Sequence, residues 1–130
     1  MLIVALVAAL ALPRLPGTGR ASLKAVALEA ASLLRRERLG AILTGRSRGV
    51  TLDGAERALV GASGGLVAIP RDVQADVLGA AGGGARIPVA TFHPDGGSSG
   101  GVLRLSREGA GYEVRVNWYL GTVSVEDPAP

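Results

Sequence analysis

A chain of 130 residues with 20 glycines and 7 prolines supports one modest core, and so many breakers exclude an all-helical bundle. Apolar residues make up 48% but aromatics only 3% (Phe92, Tyr112, Trp118 and Tyr119), so the core must be built from Ala, Leu and Val, and a mean hydropathy of +0.34 excludes a disordered chain. The net charge of +3 is uneven, nine basic against four acidic residues over 13–60 and five against seven over 61–130, which is no whole-domain nucleic-acid signature; the lack of cysteine excludes disulfides and thiolate sites.

Residues 1–12 are apolar throughout, with Leu2, Ile3, Val4, Leu6, Val7, Leu10 and Leu12 as the large side chains. A membrane span needs about 20 such residues, so twelve suit a signal-peptide core, a buried helix or part of a membrane helix. Ala9-Leu10-Ala11 is like a signal-peptidase site, but no basic region precedes it. The run is apolar on all sides, unlike a soluble helix with one apolar stripe. It is expected to be the inner part of a membrane helix whose first residues lie upstream. An upstream stop codon with no basic leader would contradict that expectation.

Pro13, Pro16, Gly17 and Gly19 then interrupt the helix. Helical periodicity returns from Thr18 to about Leu43, with Leu23, Val26, Ala27, Ala30, Leu33 and Leu34 on one side, and Gly45 with residues 46–49 ends it. Packing of that stripe on the chain's own sheet is favoured over a coiled-coil seam, which two heptads are too short to support. Eight β-prone runs follow at residues 50–52, 59–60, 66–69, 73–78, 89–92, 102–105, 112–118 and 122–125, separated by Gly or Pro breaks. Tyr112, Val114, Val116 and Trp118 should share one face of a strand, and Glu113, Arg115 and Asn117 the other. Residues 106–111 read as a hairpin connection and 79–84 as a flexible loop. The fold class is α+β, with a helix packed on a small antiparallel sheet or sandwich. The expected divisions are residues 1–16, an incomplete apolar helix; 17–45, an amphipathic continuation; and 46–130, a β domain.

The sequence Gly61-Ala62-Ser63-Gly64-Gly65 matches the G-x-S-x-G elbow of serine hydrolases, and Ser63, Asp76 and His93 follow in hydrolase order. That elbow requires a parallel sheet with intervening helices, so turn chemistry is the favoured reading. No catalytic residue is assigned. His93 is the only histidine, which excludes a histidine metal cluster, and no phosphate loop occurs, so neither metal nor cofactor is expected. Asp95 and the serines of Asp95-Gly96-Gly97-Ser98-Ser99-Gly100-Gly101 should hydrogen-bond their own backbone rather than hold calcium.

An apolar N-terminal helix interrupted by proline, the segment Phe92-His93-Pro94-Asp95-Gly96-Gly97-Ser98-Ser99-Gly100-Gly101, and a closing Trp118-Tyr119-Leu120-Gly121-Thr122 occur together. In this the chain resembles the minor pseudopilin H family of type II secretion, in one superfamily with type IV minor pilins. The matching residues are Phe92, Pro94, Asp95, Gly96, Ser98, Ser99, Gly100 and Gly101 in the loop and Trp118 and Gly121 in the closing strand. Two departures stand out. The family's basic leader, the Gly-Phe-Thr-Leu segment at which prepilin peptidase cleaves and N-methylates, and the glutamate that follows it are not in this sequence, and Leu120-Gly121-Thr122 replaces a threonine–glycine–arginine.

The resemblance implies a non-enzymatic component of a pseudopilus. Its helix would cross the inner membrane once and later pack in the filament, and its β domain would be periplasmic. Arg14 and Arg20, after the apolar run, would by the positive-inside rule give the opposite orientation; cytoplasmic charges in an upstream leader restore the family's. Other minor and major pseudopilins and the inner-membrane secretion platform would be its partners, with no small-molecule substrate. Residues from about Thr18 onward should form a soluble monomer. The competing class is a type IV minor pilin for pilus assembly or DNA uptake, in which the basic excess over 13–60 would contact phosphate. That excess lies largely on a helix, so nucleic-acid binding is disfavoured. A third reading is a secreted glycine-rich binding module.

Overall fold

The computed structural model describes residues 19–79 and 85–127. The apolar segment 1–16, with Leu2 to Leu12, and residues 80–84 of the expected flexible loop lie outside the described residues. Helix α1 (Gly19–Thr44) is followed by β1 (Arg48–Asp53), β2 (Ala58–Gly61), β3 (Leu66–Ala68), β4 (Gln74–Val77), β5 (Arg86–Phe92), β6 (Gly101–Arg107), β7 (Ala110–Val116) and β8 (Val123–Glu126). Each of the eight β-prone runs thus contains a strand.

Alanine and leucine, both strong helix formers, dominate α1, and its 26 residues span roughly 39 Å. Its buried side is Leu23, Val26, Ala27, Ala30, Ala31, Leu33, Leu34 and Ala41, the predicted stripe with two further alanines. Small side chains on that stripe let the helix lie close to the sheets. The helix stops where the Gly45 N–H donates to the Ala41 carbonyl at 3.0 Å and Thr44 Oγ1 turns back to the Gly40 carbonyl at 2.7 Å. Arg48 and Gly49, expected in the helix stop, instead open β1.

The strands form two antiparallel four-stranded sheets, ordered β3-β2-β1-β5 and β4-β6-β7-β8. Helix α1 packs against both. Their shared core contains Leu52, Leu59, Phe92, Leu103, Leu105, Tyr112, Val114 and Val116 with the helix stripe. In β5, Pro88 has no N–H to donate to its partner Thr51, and the register slips at Val50/Thr51. The β6–β7 connection is tighter than the expected 106–111. Glu108 and Gly109 both have positive φ (47° and 84°), as a two-residue type I′ hairpin requires, and the strands run to Arg107 and from Ala110.

A second correction concerns the closing strand. Tyr112, Val114 and Val116 are buried together, but β7 ends at Val116 and Trp118 is 69% exposed. Asn117 causes this: its Oδ1 accepts the N–H groups of Tyr119 and Leu120, both at 2.8 Å, and curls the chain into a turn. Trp118 and Gly121 therefore belong to the β7–β8 turn and not to a strand. No described helix is long and apolar enough to cross a membrane.

Candidate functional site at the glycine-rich loop

The loop between β5 and β6 is held chiefly by its own backbone and short polar side chains. Phe92, fully buried, anchors its start and forms an antiparallel bridge with Ser98. His93 N–H donates to the Gly97 carbonyl and Gly96 N–H to the His93 carbonyl, both at 2.9 Å. Asp95 Oδ1 accepts the Gly97 N–H at 2.9 Å, closing an Asx turn beside Pro94. Ser99 bonds Thr91 through both its N–H and its Oγ, extending the edge of β5.

Ser98 and Gly121 join this loop to the β7–β8 turn. Ser98 N–H donates to the Trp118 carbonyl at 3.0 Å, and Ser98 Oγ donates to the Asn117 carbonyl at 2.8 Å while accepting from Gly100 N–H. Gly121 is buried with φ +71°, and a Cβ there would collide with the Gly96 carbonyl and stand 2.9 Å from Arg38 Nε. From α1, Arg38 reaches over both segments, donating from Nε to the Gly96 carbonyl (3.1 Å) and from Nη2 to the Leu120 carbonyl (3.2 Å). Arg35 Nη2 donates to the Val123 carbonyl at 2.8 Å. The closing turn, the motif loop and the helix are thus one clamped unit. No sequence signal pairs Arg35 and Arg38 with carbonyls 58 to 88 residues away.

Beside the turn, an open cleft of about 660 Å³ is bounded by Gly100, Arg115, Asn117, Trp118 and Thr122. Its outer-face neighbour Glu113 is only 3% exposed, because Arg104 (2.6 Å) and Arg115 (2.7 Å) fold over it. The Arg104 hydrogen bond, aided by Arg115 and opposed by burial, holds the Glu113 carboxyl below its usual value of 4.5. A depressed folded-state value means that this stabilisation is complete above about pH 4.5 and fades as pH falls through the folded value. Unfolding midpoints measured from pH 7 to 2 should fall less steeply in acid for Glu113→Gln than for the parent chain. Parallel profiles would contradict the assignment.

Ser63, Asp76 and His93 are not brought together. Ser63 lies in the β2–β3 turn and donates its hydroxyl to buried Glu37 of α1, Asp76 is on β4, and His93 Nδ1 meets Ser47 Oγ at 3.4 Å. Glu37 was missed by sequence reading, which cannot distinguish a buried glutamate from a solvated one. Among the described residues no group of three His, Asp or Glu side chains could hold a metal ion.

No family model matches the sequence, and no curated protein does. Two solved structures are similar in fold. The minor pseudopilin EpsH from the type 2 secretion system of Vibrio cholerae superposes with a TM-score of 0.65 at 20% identity, covering 83% of this chain and 98% of that one. The type IV minor pilin FimU of Pseudomonas aeruginosa gives a TM-score of 0.60 at 18% identity, covering 85% and 92%. The chain has a pilin-like α+β fold.

Proposed function

We propose that this protein is a minor pilin-like subunit of a type II secretion pseudopilus, with a structural and not an enzymatic role. The observation that carries this reading is the likeness in fold to EpsH, which covers 98% of that chain and 83% of this one. At this identity the likeness speaks for fold, and the function is inferred from it by analogy. In this reading residues 1–16 anchor the chain in the inner membrane with a single pass, and the described domain is periplasmic. An apolar helix suits both lipid and a filament core, since neither offers water to a polar group. The partners are other minor and major pseudopilins and the inner-membrane secretion platform.

The similarity to FimU supports a second reading, a type IV minor pilin. Deleting the gene separates the two. Loss of exported proteins from the medium, with surface pili and DNA uptake intact, is the expected result. Loss of pili with normal export would contradict the secretion reading and favour the second.

A further inference from the structure

We propose that the exposed β7–β8 turn and the adjoining flank of α1 form a docking surface for a carboxylate-bearing apolar face of a neighbouring pilin-like subunit, an inference that rests on the subunit reading above. Tyr119 and Leu120 are 71% and 56% exposed, and Leu39 and Ile42 are exposed on the helix. The contacts make these groups neighbours. Arg38 holds the Leu120 and Gly96 carbonyls at once, and Ile42 Cδ1 lies 3.6 Å from where a Cβ on Gly96 would stand. Arg35, Arg38, Leu39 and Ile42 follow at helical spacing on one flank. Large exposed apolar side chains gathered on one surface mark an interaction site. Asn117 fixes the turn through two backbone bonds, so little conformational freedom remains to be lost on binding.

The charge on this flank identifies the occupant's chemistry. Arg35 and Arg38 donate to main-chain carbonyls, and among the described residues neither lies within ion-pair distance of a carboxylate. Neutral carbonyls orient a guanidinium but leave its charge uncompensated. A purely apolar partner would strip water from two such cations, a cost that can exceed the gain from apolar burial. Each guanidinium has five N–H donors, and Arg38 uses two and Arg35 one, so donors remain for carboxylates. A second copy pairing through the same surface would bring like charges together, which disfavours a two-fold homodimer.

The test uses the full chain in inner-membrane vesicles with the other pilin-like subunits of its assembly, read by short-range chemical cross-linking to each. Arg35→Glu and, separately, Leu39→Asp should cut the cross-linked yield to one neighbouring subunit about tenfold, while Arg35→Lys stays near the parent. Thermal unfolding within a few degrees of the parent establishes that a variant is folded; if Arg35→Glu unfolds, exposed Leu39→Asp decides. A folded Leu39→Asp or Arg35→Glu chain that cross-links as strongly as the parent overturns the surface while leaving the subunit reading intact. A parent chain that cross-links to no pilin-like subunit overturns that reading and this surface with it.

Discussion

Alanine in place of Gly121 should destabilise the domain by about 3 kcal/mol, lowering its melting temperature by roughly 10–15 °C. Two costs combine at this position. Positive φ (+71°) disfavours any side chain there, and the added methyl must displace the Gly96 carbonyl, which Arg38 holds. Threonine next door is exposed, so Thr122→Ala should change stability by less than about 0.5 kcal/mol and serves as the control. The clamp also predicts coupling. Arg38→Ala alone removes two hydrogen bonds, and combined with Gly121→Ala it should add less than its single effect, because the loop it secures has already moved. Strict additivity, or a melting shift of only a degree or two for Gly121→Ala, would mean that the turn and the loop are not joined as described.

Phe92→Ala should have the larger effect, about 3–5 kcal/mol, read as a lower denaturation midpoint with an unchanged denaturant slope. Phe92 heads the fully buried side chains by volume, in a core built mostly from Leu, Val and Ala. The surrounding core relaxes only partially into the space a phenyl ring leaves. The residue also stands at the start of the motif loop and bridges Ser98, so its loss should loosen the segment that Arg38 grips. Phe92→Leu retains most of the volume and should cost less than about 1.5 kcal/mol. An alanine variant within 1 kcal/mol of the parent would contradict the packing at this end of β5.

These two sites show where the sequence was readable. Helix α1 and its buried stripe follow from apolar spacing, and the strands from β-prone runs between glycine breaks, because both signals are local. A single sheet and a sandwich were both open from the sequence, and which strands share a sheet was not legible. That depends on β1 pairing with β5 and β4 with β6, and nothing between those runs encodes the partner. Trp118 leaves the Tyr112 face that alternation predicts because Asn117 offers a side-chain acceptor that ends the strand first. In the candidate site, the Asx turn at Asp95 follows from turn chemistry. The Arg38 clamp and the Glu37–Ser63 bond join residues far apart in sequence, and a lone arginine or glutamate on a helix carries no mark of what it meets.

Whether the full chain enters a filament tests the central claim most directly. Filaments sheared from cells that overproduce the major pilin-like subunit, analysed by quantitative mass spectrometry, should contain this protein in substoichiometric amount. Deleting residues 1–16 should remove it from them. Its absence from purified filaments, with the full chain abundant and stable in the cell envelope, would contradict the account.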